Sequence, residues 1–275
     1  MAGQPKAAVT RYFFVRKNRI APRRLAELLC PAAGIEIQQK ITMHPLDNVI
    51  WQALTTRQAQ FADCSDSARK FVHEVSPLSG FQEPSDDSYA SLLALVAQSG
   101  TTAVFLDNPY EPRPEWEFIA GAPLLQMVCD SPAPRISSNG HQILELKSAD
   151  SPQMLELTSL TKPGPFGTRT HELGTYLGIR EGGTLVAMAG ERLKVPGHTE
   201  VSAVCTHPEH TGKGYAQILM NEIMQRIRER GETPFLHVRQ DNARAIAVYK
   251  LLGFQARKLL HFAVLRRKKP SEFRR

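Results

Sequence analysis

Cysteine and long apolar runs are both scarce in this sequence of 275 residues. Its four cysteines, Cys30, Cys64, Cys129 and Cys205, lie far apart and form no CxxC pair, which argues against a zinc knuckle or a dense disulfide framework. Apolar stretches such as 122–125 are much shorter than the roughly 20 residues that cross a bilayer, and no apolar signal region follows the N-terminal basic residues. We therefore expect a soluble, cytoplasmic protein with reduced thiols and no membrane partner.

Positive charge is concentrated at the two ends of the chain. The formal net charge is +7, but residues 1–42 and 257–275 are strongly basic, whereas residues 43–256 hold more acidic than basic side chains. A folded body that binds nucleic acid usually presents a basic surface. We therefore expect the tails to be solvated, and we do not expect nucleic acid as a partner.

Changes in composition predict five segments along the chain. The pattern changes abruptly at Met43, which could be the true start, and a stretch rich in Pro, Ser and Gly near residue 135 indicates a connection between two units. The expected segments are a basic extension that is disordered or mis-started (1–42), an N-terminal domain (43–130), a linker (131–140), a second domain (141–267) and a basic tail (268–275).

Hydrophobic spacing in the N-terminal half predicts an α/β or α+β arrangement. This half contains no glycine loop, no metal-ligand spacing and no nucleophile motif, so its sequence indicates no chemistry. The expected elements are helices over 59–75 and 88–98 and strands over 101–106, 116–120 and 124–129.

The C-terminal half is predicted to be dominated by strands. A helix over 152–160 comes before strands at 176–180, 184–193 and 200–206, and Gly-containing turns separate the three strands. Because short turns join neighbouring antiparallel strands, three antiparallel strands are the simplest arrangement.

A glycine-containing loop, residues 207–214, follows the last of these strands. A helix with an apolar stripe at i, i+4 and i+7 begins directly after Gly214. A strand, a glycine turn and a helix N-terminus in this order present free backbone N–H groups and the positive end of the helix dipole to a phosphate. The GxxxxGK[ST] loop of ATP sites and the third glycine of dinucleotide sites are both missing. The loop therefore predicts a pyrophosphate site that suits neither ATP nor NAD.

A second motif follows the next predicted strand, 234–239. Asn242 can cap a helix there, and Tyr249 returns to the same helical face two turns later. Gly253 ends the helix. The glycine loop alone could be an ordinary turn. Two separated motifs in this order make a coincidental match much less plausible.

Together the two motifs resemble the GCN5-related N-acetyltransferase (GNAT) family, whose pattern is a strand, [RQ]-x-x-G-x-[GA], a helix, a strand and N-x-x-A-x-x-x-Y-x-x-x-G-F. Thr211 departs from this pattern, because it replaces the usual Arg or Gln and removes one side-chain contact to phosphate. The matching residues are Gly214, Ala216, Asn242, Ala245, Tyr249, Gly253 and Phe254.

The resemblance implies a GNAT fold: a mixed, mostly antiparallel twisted sheet flanked by helices, with an FR47-like catalytic domain at 141–267. It implies a degenerate GNAT-like domain at 43–130, which would close the acceptor cleft together with the loop 162–167. It also implies acetyl-CoA as co-substrate, with its pantetheine arm lying along a strand edge and no metal. The residues expected to contact it are Val204, Cys205, Thr206, Thr211, Gly212, Lys213, Gly214, Tyr215, Ala216 and Asn242.

The resemblance further implies transfer of the acetyl group by direct attack of an amine. Tyr249 matches the general acid of relatives, which protonates the departing thiolate. Glu200 stands where histone-acetylating relatives carry a glutamate base. Glu191 competes with it for this role, and a water chain is the third option.

Several alternatives stay open at this stage. The chain could be an acyl-CoA amino-acid N-acyltransferase with a longer acyl donor, or a non-catalytic CoA-binding or scaffold protein. The acceptor is expected to be an amine of a small molecule or a peptide, and the protein a monomer or homodimer. His207, Glu209 and His210 could suggest a metal site, but Pro208 disrupts a helical presentation, and we expect none. Cys205 is expected to be a small buried residue rather than a nucleophile.

Overall fold

The computed structural model describes residues 44–132, 136–138 and 140–273, so the predicted extension at 1–42 lies outside the described residues. The strands are β1 (Ala62–Cys64), β2 (Ala68–Phe71), β3 (Leu78–Phe81), β4 (Thr101–Leu106), β5 (Trp116–Val128), β6 (Leu144–Leu146), β7 (Tyr176–Glu181), β8 (Thr184–Val195), β9 (His198–Thr206), β10 (Thr233–Arg239) and β11 (Gln255–Arg267). The helices are α1 (Val49–Thr55), α2 (Asp86–Leu93), α3 (Ser151–Thr161), α4 (Tyr215–Glu229), α5 (Ala243–Leu251) and α6 (Pro270–Phe273).

The described strands form one 11-stranded sheet with the order β1-β2-β3-β4-β11-β5-β10-β9-β8-β7-β6. Only the pairs β3–β4 and β9–β10 are parallel, so the sheet is mixed and mostly antiparallel, which confirms the predicted fold class. Strands from the two predicted halves alternate at its centre, where β11 lies between β4 and β5. The division into separate domains at 43–130 and 141–267 stays a prediction.

Helix α4 packs on one face of the sheet and contributes many residues to the hydrophobic core there. Its apolar positions, among them Leu219, Ile223 and Ile227, are fully buried against inward residues of β7 and β10 such as Leu177 and Leu236. Because side chains alternate along a strand, the neighbours Tyr176 and Phe235 pack on the opposite face, in the clusters formed with α3 and α1. Burying a side chain of this size contributes about 1.5–3 kcal/mol.

Strands β9 and β10 separate soon after they begin. Their parallel pairing covers only Thr233–Phe235 against His198–Glu200. Further along β9, Met188 of β8 pairs with Cys205 but Gly190 pairs with Ser202, so β9 contains one extra residue there. Ala203 within this bulge has a positive φ of 52°, and such bulges bend a strand. The bend leaves a gap between β9 and β10 beyond Glu200.

The predicted helix over 59–75 is wrong. After a single 3-10 turn at Ala59–Phe61, β1 and β2 form an antiparallel hairpin, in which Ala62 pairs with Phe71. The intervening Ser65-Asp66-Ser67 segment favours a turn, and β2 gains a further partner in β3. Sheet pairing therefore prevails over the helical spacing of the apolar residues.

The two strands predicted at 116–120 and 124–129 are one continuous strand, β5. It pairs with β11 along its whole length, whereas β10 pairs only with its second half, from Leu124 to Val128. Pro123 therefore lies just where one neighbouring strand has ended, a position at which proline is tolerated.

Candidate active site

A cavity of about 480 Å³ lies beside the end of β9, and we call it the first cavity. The strand β9, the loop before α4 and the start of α5 form its walls. Its lining residues are Val204, Cys205, Thr206, His210, Thr211, Gly212, Gly214, Tyr215, Ala216, Gln217, Met220, Asn242, Arg244, Ala245, Val248 and Tyr249.

The loop before α4 presents free backbone donors to this cavity. Within the described residues, no hydrogen bond is made by the N–H groups from Gly212 to Gln217, and the first helical bond runs from Ile218 to the carbonyl of Gly214. Gly212 and Gly214 have φ values of 81° and 80°, and a Cβ on either would meet no atom within 4 Å. Glycine is therefore favoured at both positions by the left-handed backbone conformation and not by a lack of space for a side chain. Free donors at a helix N-terminus form an anion-binding site.

Of the ten residues predicted to contact the cofactor, nine line the first cavity. The exception is Lys213, whose ammonium group lies 3.0 Å and 3.1 Å from the two carboxylate oxygens of Glu181. Tyr215 donates its hydroxyl to the same carboxylate. Lys213 thus anchors the loop to the end of β7, and its contact with a cofactor stays a prediction.

A second cavity, of about 490 Å³, lies in the gap between the ends of β9 and β10. It shares Val204, Cys205, Thr206, Asn242, Ala245 and Tyr249 with the first cavity, so the two meet along the end of β9 and the start of α5. Its other lining residues are Leu78, Phe105, Ala122, Leu124, Thr161, Lys162, Pro163, Gly164, Pro165, Arg192, His237, Val238, Arg239 and Phe262.

Tyr249 lies on the wall that the two cavities share. Asn242 fixes the start of its helix, because the Asn242 side chain accepts the Ala245 N–H at 3.1 Å. Burial raises the pKa of Tyr249 to about 12, so the phenol keeps its proton at neutral pH. Within the described residues its hydroxyl makes no hydrogen bond, which leaves the proton available to a ligand.

Glu200 is fully buried at the point where β9 and β10 separate. Its Oε2 accepts from Nε of Arg192 at 2.8 Å, and its Oε1 accepts from Nη2 of Arg192 at 2.6 Å and faces Nδ1 of His237 at 2.7 Å. Burial alone would raise the pKa of Glu200, but the charges and hydrogen bonds of Arg192 and His237 outweigh it and lower the pKa. Such a carboxylate has little tendency to accept a further proton.

Glu191 is as deeply buried as Glu200, and its carboxylate is also paired with cations. Its two oxygens bind Arg230 at 2.7 Å and Lys194 at 2.8 Å, and it lines neither cavity. The geometry therefore disfavours both Glu200 and Glu191 as bases that touch an acceptor directly. Glu200 as the base stays a prediction, which a variant below tests.

Cys205 is buried at the junction of the two cavities. Burial raises the pKa of its thiol to about 11, against the opposing effect of a hydrogen bond with Thr161. Because the thiolate is the nucleophilic form, a thiol with this pKa suits a packing role, as expected from the sequence.

His207, Glu209 and His210 come together in the turn before the glycine loop. One ligand atom from each lies within 4.8 Å of the others. Pro208 does not disrupt this segment but begins a short 3-10 helix, Pro208–His210. His207 accepts the Glu209 N–H at 3.3 Å, and Nδ1 of His210 faces Glu181 at 3.1 Å. These contacts give both histidines a structural role in shaping the loop.

Sequence reasoning missed several cavity residues. Arg244 lines the first cavity, is exposed and makes no ion pair within the described residues, and its place two residues after Asn242 is the only signal that could have found it. Arg192 and His237 line the second cavity. They lie on different strands, and no spacing in the sequence shows that Glu200 joins them.

Comparison with known proteins agrees with this arrangement. The model of the FR47-like protein family matches residues 176–262, which span β7 to the middle of β11. A crystal structure from Novosphingobium aromaticivorans, assigned as an acetyltransferase of the GNAT family, is 34% identical, covers 82% of this chain and all of its own, and superposes with a TM-score of 0.77. The chain belongs to the GNAT family and contains an FR47-like domain.

Two further proteins show similarity. The N-alpha-acetyltransferase RimI of Mycobacterium tuberculosis is 37% identical over 100 residues, which are 34% of this chain and 62% of that protein. The chain thus spans less than two thirds of this curated relative. A GCN5-related N-acetyltransferase from Kribbella flavida, 16% identical with a TM-score of 0.53, covers 79% of this chain and 96% of its own and shares the fold. Among the described residues, no helix has both the length and the apolar character needed to cross a membrane.

Proposed function

We propose that the chain is an N-acetyltransferase that moves the acetyl group of acetyl-CoA to a primary amine by direct attack. The observation that supports this most strongly is the junction of two cavities at Tyr249. The first cavity offers phosphate-binding donors, and the second cavity is lined mainly by apolar and basic side chains. The hydroxyl of Tyr249 lies where the two cavities meet.

The first cavity fits the diphosphate and pantetheine parts of acetyl-CoA. The free N–H groups from Gly212 to Gln217 suit a pyrophosphate, and the left-handed glycines keep side chains out of its way. The edge of β9 at 204–206 is released from β10, so it can pair with an extended amide chain in the manner of an added strand. Arg244 adds a cation for a further phosphate. When bound, acetyl-CoA supplies the acetyl thioester.

The chain itself has to manage two protons. Tyr249 Oη holds a proton at neutral pH because burial raises its pKa, so it suits the protonation of a departing sulfur. The amine must lose a proton as it attacks. Since Glu200 and Glu191 are both occupied by cations, we propose that water at the mouth of the second cavity takes this proton, and that Glu200 positions Arg192 and His237.

The second cavity is the proposed acceptor cleft. Its walls include Leu78, Phe105 and Ala122 from the N-terminal half and the loop Lys162–Pro165, so both halves of the chain would select the acceptor. The similarity to RimI supports an α-amine as the reacting group, because that relative is an N-alpha-acetyltransferase.

The test is a panel of amines assayed with acetyl-CoA, with released thiol as the readout and a mass shift of the amine as confirmation. We expect the mass of one acetyl group on an α-amine. Longer acyl donors on the same acceptors would identify an N-acyltransferase if they reacted faster. Tight CoA binding without turnover on any amine would instead support a non-catalytic protein.

A further inference from the structure

A small niche of about 10 Å³ adjoins the second cavity, and we call it the side niche. The two share Pro163, Gly164, Pro165 and Arg192, so Arg192 faces both. A volume of this size has room for about one water molecule or one small polar group. The side niche therefore has room for a single oxygen atom next to the proposed acceptor cleft.

Tyr176 lines the side niche, and its hydroxyl is an unsatisfied hydrogen-bond donor. Its side chain is about 1% exposed, and its hydroxyl is buried without any hydrogen-bond partner among the described residues. A buried hydroxyl without a partner costs about 1–3 kcal/mol. Burial raises the pKa of Tyr176, so the hydroxyl stays protonated and can donate to a ligand oxygen. Ser202, which also lines the niche, makes no side-chain hydrogen bond within the described residues.

Arg192 presents unused donors at the same place. Glu200 engages only its Nε and Nη2, and within the described residues no group accepts from Nη1. Glu200 itself lines neither the side niche nor the second cavity. Arg192 is therefore the member of this buried ion pair that faces both spaces. Guanidinium groups held in this way bind carboxylates strongly.

The wider cleft has the same electrostatic bias. Lys162, Arg192 and Arg239 line the second cavity, and no Asp or Glu is among its described lining residues, although Glu200 and Asp241 outside this lining pair with Arg192 and Arg239. Lys162 is exposed and has no ion pair within the described part of the chain. A cleft without carboxylates is poorly suited to polyamines and other polycationic acceptors, which need acidic partners.

We propose that the side niche receives one oxygen of a carboxylate of the acceptor while the rest of this group lies in the second cavity, held by Arg192 and Tyr176, so that the protein selects amines that carry a carboxylate group. This inference rests on the amine acetylation proposed above and narrows its substrate class. The carboxylate could belong to a free amino acid or to an acidic side chain next to a peptide α-amine, and the experiment separates these sources.

The test compares matched acceptors in two arms. The first arm pairs amino acids with their amides, and the second pairs short peptides that have Glu or Gln at the second position. Wild type is compared with Tyr176→Phe, which removes only an unpartnered hydroxyl and should fold, and with Lys162→Gln at the exposed rim. Tyr110→Phe is the matched control, because its hydroxyl is also buried without a partner but lies outside every cavity described.

The expected result is specific to acceptors with a carboxylate. In the arm that contains the true source, Tyr176→Phe should raise KM for the carboxylate acceptor about tenfold, with a smaller increase for Lys162→Gln. KM for the neutral analogue should change much less than KM for the carboxylate acceptor in both variants. Each variant is compared with wild type on the same acceptor, so the difference in amine pKa between an amino acid and its amide does not affect the result. Equal effects on both members of each pair, or no effect of Tyr176→Phe, would overturn the proposal.

Calorimetric binding of the same acceptors to the CoA-loaded protein separates this inference from the proposed function. If no amine reacts but carboxylate acceptors bind and Tyr176→Phe weakens them, acetyl transfer fails and the carboxylate site stands. If amines react with no preference for a carboxylate, acetyl transfer stands and the inference fails. If neither member of a pair binds and neither reacts, both are overturned.

Discussion

Arg192 on β8 and Glu200 on β9 form a two-point ion pair, with Nε 2.8 Å from Oε2 and Nη2 2.6 Å from Oε1. The Leu193 N–H and His237 occupy the remaining sides of the carboxylate, at 3.3 Å and 2.7 Å. Every oxygen of Glu200 is thus engaged by a neighbour. We therefore propose that Glu200 positions Arg192 and His237 on the wall of the second cavity.

Replacing Glu200 with Gln should destabilise the fold. An amide accepts on one side only, so Arg192 would be left partly unpaired in a buried site, and we expect the free energy of unfolding to fall by about 3 kcal/mol. KM for the acceptor should rise with it. Glu191→Gln is the matched control, because it breaks an equally buried ion pair that does not include Arg192. Lower turnover of Glu200→Gln at neutral pH, with unchanged stability and KM, would instead identify Glu200 as the base.

Acid should destabilise the wild type through the same carboxylate. Because the folded-state pKa of Glu200 lies below its unfolded value of 4.5, the stability it contributes is fully present above that pH and is lost as pH falls through the folded pKa. The unfolding free energy of Glu200→Gln should therefore vary less with pH below 4.5 than that of wild type. Urea unfolding at several values between about pH 3 and 7 measures this. The same acid dependence in both proteins would contradict the assigned ion pair.

Gly214→Ala should weaken cofactor binding more than it weakens the fold. A Cβ at φ 80° costs about 1–2 kcal/mol, and it would occupy the open space in which we place the pyrophosphate. Gly231→Ala is a close control, since this glycine follows the other end of α4 with φ 74° and the same open surroundings. Both variants should lose similar melting temperature. Only Gly214→Ala should raise the dissociation constant of CoA in calorimetry, and equal constants would argue against this loop as the phosphate site.

The sequence was sufficient for the parts of the site that are local in the chain. The loop at 207–214 and the helix from Asn242 to Gly253 each position their residues by their own backbone, so a strand, a glycine turn and a cap could be read directly. The helix predicted over 59–75 failed because β2 is stabilised by pairing with β3, which no local spacing encodes. Local patterns thus predicted most of the residues that line the first cavity.

The acceptor side could not be predicted in this way. Arg192, Tyr176 and His237 come from β8, β7 and β10, and these strands are brought near each other by the order of strands in the sheet. The family resemblance implied a base role for Glu200, and no local pattern indicated its burial or its partners. One of these partners, His237, lies 37 residues later in the chain.

Arg244→Gln tests the cation that sequence reasoning missed. The Arg244 side chain lines the first cavity and has no ion pair within the described residues, so its removal should leave the fold unchanged and weaken CoA binding several-fold. The loss should shrink as salt is added, because exposed charges are screened. Lys250→Gln, an exposed change on the same helix outside the cavity lining, is the control. Equal CoA affinity for Arg244→Gln and wild type at low salt would exclude a phosphate contact.

Tyr249→Phe should separate chemistry from binding. The variant keeps the ring that packs on Phe254 and removes only the hydroxyl, so the fold and the dissociation constant of CoA should be unchanged. Without the proton donor, kcat should fall by about 10²–10⁴. Because burial raises the pKa of Tyr249 to about 12, loss of its proton should not lower wild-type kcat up to about pH 9. Tyr110→Phe should match wild type throughout, and a Tyr249→Phe protein with wild-type kcat would assign the protonation of the leaving sulfur to another group.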